Sequence, residues 1–269
     1  MSKKRRRKKK RSKKILWAAA IVIIAAAVLV AVSIDRTDQD QNFDLEVLND
    51  ITDGIADSIS AITDPGEDET VTYVSAENAA GALDISQIEI PEYSGSPTAT
   101  INNNEPFFED DELTTEYYIL LSDLDELGRC GSNVMCADEE DMATGERDSI
   151  SDIHPTAWHG GGFYNRSHLL MWKLSGCDDE RNLITGTVTF NQETMLEYEE
   201  QVTAYLWANE ENHVMYRVTP LFDGENLLAD GVLMEAYSVE DGGSLSFCVF
   251  CYNVEPGAEI DYATGDYTE

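Results

Sequence analysis

Twenty consecutive uncharged residues, Ile15 to Ile34, constrain this 269-residue chain more than any other feature. At about 1.5 Å per residue, a helix of this length spans roughly 30 Å, the thickness of the hydrocarbon layer of a bilayer. The basic segment 1–14 precedes the run, and a basic flank of this kind stays on the cytoplasmic side of a membrane. The pattern predicts one transmembrane helix over 15–34, with the chain after it outside the cell.

A cleaved signal peptide is the alternative interpretation of the same run. Ala31-Val32-Ser33 offers small residues for cleavage, which would release a secreted protein. The uncharged run is longer than the apolar region of most signal peptides, roughly 7 to 15 residues. Its length therefore favours an uncleaved, single-pass anchor in the cell membrane with an extracellular C-terminal domain.

The outward part of the chain is strongly acidic. Of the 18 lysines and arginines, 11 lie in the first 14 residues, whereas all 52 acidic residues lie at or after Asp35. Residues 107–269 contain 35 acidic and only 6 basic residues. Surfaces that bind nucleic acid are normally basic, so such a role would require these few cations to gather in one cleft, or salt and Mg²⁺ to screen the repulsion.

Residues 35–87 are predicted to form an acidic extracellular stalk. Apolar residues recur within it at helical spacing and predict an amphipathic helix over 44–63; the stripe consists of Phe43, Val47, Ile51, Ile55, Ile59 and Ile62. Pro65-Gly66 ends this pattern, and an acidic, self-repelling tether follows. The stripe at 43–62 suits self-association, the lipid surface or the globular domain, and the sequence leaves these three open.

Residues 88–269 are predicted to form one α+β domain. Short alternating runs indicate strands of an antiparallel sheet at Val214–Leu221, Val232–Val239 and Leu245–Val254. Before them, a helix is predicted over Asn191–Trp207, with an inward stripe made of Met195, Tyr198, Val202 and Leu206.

Five cysteines lie in the part of the chain that this topology places outside the cell: Cys130, Cys136, Cys177, Cys248 and Cys251. An oxidising compartment predicts at least one disulfide, with one thiol left over. Zinc binding is disfavoured, because no matching pair of histidines accompanies the cysteines.

His168 stands out among four histidines because it ends a polar group, Asn165-Arg166-Ser167-His168, between apolar neighbours. A neutral imidazole with a pKa near 6.5 can accept a proton at neutral pH. A lone histidine beside a strand is more often structural. Here an ordered series of polar residues follows it, namely Arg181, Asn182, Asn191 and Glu199.

This order resembles the DNA/RNA non-specific endonucleases with a ββα-metal (His-Me) finger, particularly the streptococcal-type secreted and DNA-entry nucleases. The family's Asp/Asn-Arg-Gly-His motif falls on Asn165 to His168, with Ser167 where glycine is commoner. The resemblance covers roughly Ile90 to Asp266; further similar stretches are Ile90–Gly95, Ile101–Asn104, Leu127–Gly131, Tyr216–Pro220, Tyr252–Gly257 and Ile260–Asp266.

The resemblance implies a ββα-metal finger on a central antiparallel sheet, and a sugar-non-specific endonuclease that cleaves DNA, with RNA as a further expected substrate. It implies that His168, in the motif with Asn165 and Arg166, acts as general base. It also implies that Asn191 binds one Mg²⁺ through its amide oxygen, with Mn²⁺ as an alternative ion. Mg²⁺ keeps most of its waters, so a single protein oxygen plus a substrate phosphate is a sufficient ligand set.

Four assignments have alternatives. Asn182 is expected either to shape the metal site or to stabilise a loop. Glu199 lies about 12 Å along a regular helix from Asn191, which favours an indirect role, orienting a water or Arg166. Arg166 and Arg181 suit phosphate contacts or structural ion pairs.

The competing hypothesis for the whole chain is a surface module of nuclease fold that binds or scaffolds without cleaving. Trp158 is expected to lie either in the core or beside the cleft, where it would stack on a base.

Overall fold

A computed structural model describes residues 73–74, 83, 85 and 88–268 of the chain. Within these residues, no helix has the length and apolar character needed to cross a bilayer. The predicted transmembrane helix 15–34 and the amphipathic pattern 44–63 lie outside them.

An antiparallel sheet forms the centre of the described part. Its strands run in the order β2-β9-β8-β7-β4-β3, and β1 pairs with the far end of β7. The strands are β1 (Tyr73–Val74), β2 (Thr98–Thr100), β3 (Tyr118–Leu120), β4 (Asn133–Ala137), β7 (Val214–Asp223), β8 (Gly231–Ser238) and β9 (Ser246–Tyr252). The three runs predicted from alternation are β7, β8 and β9, so the predicted α+β class with a central antiparallel sheet is confirmed.

Both faces of this sheet are buried, which explains why nine of the ten residues of β7 are inaccessible to solvent. On one face, side chains such as Tyr216, Met234 and Val249 pack against the main helix. On the other face, Leu233 and Phe250 pack against the chain that precedes β3; the covering residues include Leu83, Ile85, Ile88, Ile90, Ile101 and Phe107.

The second face also contains a sealed ion pair. Arg217 of β7 lies opposite Glu235 of β8, and its Nε donates to a Glu235 carboxylate oxygen at 2.8 Å. Their side chains are 2% and 0% exposed. The backbone N–H of Phe107 donates to the same carboxylate at 2.7 Å, which joins the covering segment to the sheet.

The three consecutive asparagines before this segment have a structural reason. Asn102, Asn103 and Asn104 adopt φ values of 47°, 56° and 69°, a left-handed conformation that asparagine tolerates better than most residues. The Asn104 amide then accepts a hydrogen bond from the Cys248 N–H and donates to the Ser246 carbonyl. The turn is thereby fixed to the edge of β9.

The predicted helix is present, with an irregular beginning. Residues Phe190–Met195 form a π-helix, and a regular helix α2 follows over Leu196–Ala208. In the expected inward stripe, Met195, Val202 and Leu206 are fully buried, and Tyr198 packs against the same core.

A hairpin and this helix make a ββα unit beside the sheet. Strand β5 (Tyr164–His168) pairs with β6 (Leu183–Thr187), and a short helix α1 (Trp172–Ser175) and a 3-10 turn (Glu180–Asn182) connect them. A Cβ at Gly186 would lie 2.3 Å from Ser167 Oγ and 2.6 Å from the Phe190 ring. Glycine is therefore required where the helix crosses the hairpin. A two-stranded ribbon, β10 (Glu259–Ile260) and β11 (Tyr267–Thr268), ends the described chain.

The expected disulfide is wrong for this structure, in which all five cysteines are free thiols. Cys248 and Cys251 lie three residues apart on β9, so their side chains point to opposite faces of the sheet and contribute to different cores. Burial raises the pKa of the Cys130 thiol, which contacts the Leu183 carbonyl, to about 12. The four buried cysteines, Cys130, Cys136, Cys248 and Cys251, act as small apolar core residues.

Candidate active site

Strand β5 divides the polar motif between two faces. Because side chains alternate along a strand, Arg166 and His168 share one face while Asn165 and Ser167 share the other. The second face lies against Gly186 and the helix, where Asn165 Nδ2 and Ser167 Oγ are buried without a hydrogen-bond partner. The motif therefore does not present all four side chains to one cleft.

His168 lies at the end of β5 and is 8% exposed. Its Nε2 lies 2.9 Å from Asp178 Oδ1, in the loop after α1. Arg147 approaches the same ring from a different loop, with Nη2 at 2.7 Å from Nδ1 and 3.1 Å from Nε2. Arg147 Nε also contacts Asp178 Oδ1 at 3.3 Å, so the three side chains form one cluster.

Two opposing influences set the protonation of His168. Burial and the nearby Arg147 guanidinium lower its pKa, while the hydrogen bond to Asp178 and its negative charge raise it; the result is a pKa of about 4. A carboxylate at 2.9 Å alone would produce the opposite shift, but the desolvated ring beside a permanent cation resists a second positive charge. His168 is thus neutral at physiological pH, the state that a general base requires.

The tautomer follows from the contacts. Asp178 accepts a hydrogen bond from Nε2–H, which leaves the lone pair on Nδ1. Arg147 Nη2 lies 2.7 Å from Nδ1 and 3.1 Å from Nε2, so it lies against the ring, beside both nitrogens, and not along the Nδ1 lone pair. The proton-accepting atom of His168 is therefore oriented by a carboxylate and lies beside an arginine that is 41% exposed.

Sequence reasoning missed Arg147 and Asp178. Arg147 carried a usable signal, because it is one of only six basic residues in 107–269 and stands alone in an acidic loop. Asp178 carried none, because it is one of 35 acidic residues in that range.

Asn191 and Glu199 lie on the irregular helix. The Asn191 side chain is partly exposed in the π-helical turn, and no hydrogen bond to another described residue involves its amide. Glu199 is 7% exposed in the first turn of α2, and burial raises the pKa of its carboxyl to about 8. No hydrogen bond joins Asn191 to His168 within the described residues; the polar contacts of the His168 ring there are with Arg147 and Asp178.

Two other predicted site residues have structural partners. Asn182 is fully buried, donating to the carbonyls of Leu170 and Cys177 and accepting from the Leu170 N–H. These hydrogen bonds hold the loop after β5. Arg181 makes a two-pronged ion pair with Asp179, at 2.9 and 2.8 Å.

Arg166 connects the motif to the preceding loop. Its guanidinium donates to the carbonyls of Ile153 and Ser151 at 2.5 and 2.8 Å, and lies 4.1 Å from the centre of a Trp158 ring. Arg166 makes no ion pair among the described residues. Trp158 is half-buried beneath it, so this tryptophan flanks the hairpin instead of filling the main core.

The side chains present fit only a sparsely ligated metal. In the described residues, no group of three His, Cys, Asp or Glu side chains is arranged to hold an ion. The unpaired amide oxygen of Asn191 is compatible with Mg²⁺, a hard ion that prefers oxygen and retains its waters. This donor set suits an ion shared between the protein and a bound phosphate.

The fold and site together define a class: an α+β protein with a buried, neutral histidine at the end of a hairpin in a ββα unit. A family model described as DNA/RNA non-specific endonuclease matches residues 105–240, half of the chain. The chain belongs to this family.

Individual relatives agree with this placement. A deoxyribonuclease from Streptococcus dysgalactiae subsp. equisimilis is 33% identical over 103 residues, 37% of this chain. The match spans only 31% of that relative's length. NucA from Streptococcus agalactiae, solved with no metal bound, superposes with a TM-score of 0.55 at 25% identity, covering 63% of this chain and 85% of NucA.

Two further structures share the fold. NucA with a magnesium ion bound gives a TM-score of 0.58 at 23% identity, with 68% of this chain and 91% of that chain covered. The Sda1 nuclease with a bound zinc ion gives 0.55 at 20% identity, with 64% and 96% covered.

Proposed function

We propose that this chain is a divalent-metal-dependent endonuclease that hydrolyses phosphodiester bonds of DNA, and also of RNA, at the outer surface of the cell. The observation that carries the proposal is the His168 cluster, a neutral imidazole whose tautomer is set by Asp178. Membership of the endonuclease family supports the same reaction.

In this mechanism, His168 Nδ1 accepts a proton from the water that attacks phosphorus. A bond forms between the water oxygen and phosphorus, and the bond from phosphorus to the leaving oxygen breaks. Asp178 holds the ring and stabilises the positive charge that it acquires. Such general-base catalysis contributes typically 10² to 10⁴ in rate.

Asn191 is proposed to hold the metal ion through its amide oxygen. A divalent ion there would supply positive charge to the phosphate and to the leaving oxygen. The magnesium in NucA and the zinc in Sda1 motivate tests with several ions. Asn165 lies on the opposite face of β5 with its Nδ2 atom buried, and is assigned to packing.

Arg147 is proposed to change partners when substrate binds. Its guanidinium lies against the His168 ring within 3.1 Å of both nitrogens, but a phosphate offers two oxygens that match the guanidinium fork. Moving to the phosphate would uncover the base and place a positive charge where negative charge develops. Catalysis would thus begin only when a phosphate is present.

The decisive experiment compares the full-length protein with His168→Ala and Asn191→Ala on plasmid DNA and on RNA, with Mg²⁺, Mn²⁺ or EDTA. His213→Ala is the matched control, because His213 lies in a turn and bonds to Glu240 rather than to the cluster. Cleavage should fall about 10²- to 10⁴-fold for His168→Ala, require added metal, and persist in the control. Asn191→Ala should need more metal for the same rate.

Absent or unchanged cleavage in all four proteins would reject the enzyme and leave the alternative, a surface module that binds without cleaving. The acidic composition is the observation that favours this alternative, because surfaces that bind nucleic acid are normally basic.

The membrane anchor 15–34 is proposed from its sequence alone. Protease added to intact cells should digest the domain after residue 35. Survival of that domain, under conditions that remove known surface proteins, would contradict the outward topology.

A further inference from the structure

Most of the six cations in residues 107–269 are neutralised by carboxylates. Arg129 pairs with Asp125, Arg147 with Asp178, Arg181 with Asp179 and Arg217 with Glu235. Arg166 and Lys173 are the two that form no ion pair within the described residues. Each lies against a tryptophan: Arg166 at 4.1 Å from a Trp158 ring and Lys173 Nζ at 6.0 Å from a Trp207 ring.

Trp207 lies near the end of helix α2, on its exposed side, together with polar or small residues such as Glu200 and Ala204. It is 59% accessible, more than any other large apolar side chain in the described residues. Its neighbour Leu206 belongs to the inward stripe and is fully buried, so core packing does not account for Trp207. A large, rigid ring in this position offers an open face to a ligand.

Lys173 connects this tryptophan to the candidate active site. Its Nζ donates to the Ala143 carbonyl at 3.3 Å, and the Ala143 N–H donates back to the Lys173 carbonyl at 2.9 Å. Ala143 belongs to the loop that carries Arg147 to His168. The Lys173–Trp207 pair therefore borders the same loop that covers the proposed base.

We propose that Trp207 and Lys173 form a nucleotide subsite for the substrate strand, next to the cleavage site. An unstacked base would lie on the open face of Trp207, and the adjoining phosphate would contact Lys173 Nζ. This inference rests on the proposed nuclease function and specifies how single-stranded regions of the substrate are held.

Stacking of a base on a tryptophan suits this protein better than long-range attraction of the phosphate backbone. With 35 acidic and 6 basic residues in 107–269, the surface repels a phosphate backbone at long range. Every base has a π-face, so a tryptophan can bind any base, whatever the nucleotide sequence, and the protein needs no net positive charge for this contact. One uncompensated lysine beside the ring then supplies the local phosphate contact.

The test measures binding of a fluorescent single-stranded oligonucleotide to the full-length His168→Ala protein, with Mg²⁺ present and cleavage suppressed. Trp207→Ala, Trp207→Phe and Lys173→Ala are added singly to this background. Tyr93→Ala is the control, since Tyr93 is 48% exposed and packs on Tyr252 across the sheet from the helix. Circular dichroism checks that each variant is folded.

Trp207→Ala should weaken binding about 5- to 100-fold, whereas Trp207→Phe retains most of it. Lys173→Ala should reduce the slope of log affinity against log salt by about 0.7, and Trp207→Ala should leave that slope unchanged. Equal affinities of the Trp207→Ala and Tyr93→Ala proteins would overturn the subsite. Plasmid cleavage that depends on His168 is a separate readout, so either proposal can fail alone.

Discussion

An arginine and a carboxylate pair beneath a covering loop at two places in the molecule. One pair is sealed from solvent, and the other is open to it. On one face of the sheet, Arg217 and Glu235 are sealed, with 2% and 0% of their side chains exposed. At the hairpin, Arg147 is 41% and Asp178 16% exposed, and a histidine lies between them. The difference is access: a sealed pair can only hold the fold together, whereas an open one can exchange a partner for a ligand.

The sealed pair should dominate stability. Glu235→Ala would leave Arg217 buried with the more distant Glu112 carboxylate at 3.4 Å, and would remove the acceptor of the Phe107 N–H. Removing one partner of a buried pair costs about 3–5 kcal/mol. Asp178→Ala should cost at most about 1 kcal/mol, because its arginine can turn to water. Urea unfolding of both variants measures the contrast, and equal losses would refute the distinction.

Glu199 is a third buried charge-bearing group, a carboxyl that makes no ion pair among the described residues. Because burial raises its folded pKa to about 8, the folded protein retains a proton that the unfolded chain, with a pKa near 4.5, releases. Stability is then fully present below the unfolded pKa and is lost as pH rises toward 8.

Glu199→Gln mimics the protonated carboxyl, so it should be more stable than the wild type by roughly 3 kcal/mol at pH 7, with no difference near pH 4. Thermal unfolding across pH measures this. A constant difference at all pH values would show that hydrogen bonding, rather than the proton, accounts for the effect. Glu200→Gln is the control, because Glu200 is exposed on the same helix.

Much of the framework was predictable from local pattern. Strands β7, β8 and β9 were predicted as short β-type runs, although both of their faces are buried. The inward stripe of the helix follows from helical spacing. The π-helical start was not predicted, although Phe190 and Met195, both buried and five residues apart, match a wider turn than that of a regular helix. The disulfide expectation failed because a compartment argument carries no information on which face of a strand a cysteine occupies.

The candidate site was predictable only where it lies within one hairpin. His168 was found because its motif is continuous in sequence. Arg147 and Asp178 reach it from loops 21 residues before and 10 residues after it, and their approach depends on tertiary folding. For Arg166 and Arg181, the sequence could not decide between a phosphate contact and an ion pair, because acidic residues are abundant. In the structure, Arg166 contacts two backbone carbonyls and Trp158, whereas Arg181 pairs with Asp179.

In the open cluster of His168, Arg147 and Asp178, removing a single charge should change the pKa of His168. The sealed pair of Arg217 and Glu235 offers no comparable response. Burial and, after it, the Arg147 charge lower the pKa of His168, while Asp178 raises it, and the resulting pKa is about 4. Arg147→Gln should therefore raise this pKa toward 6.5, and Asp178→Asn should lower it below 4. NMR titration of the His168 ring in the metal-free protein reports both shifts without reference to activity.

The same substitutions should move the acid limb of the pH–rate profile, because only neutral His168 accepts a proton. The limb moves to higher pH in Arg147→Gln, and to lower pH in Asp178→Asn, by at most about one unit as expected for a partly exposed charge. Asp179→Asn is the matched control, since Asp179 pairs with Arg181 instead. An unchanged acid limb in both cluster variants would mean that burial alone sets the pKa of His168, and the exchange of Arg147 from His168 to phosphate would lose its electrostatic basis.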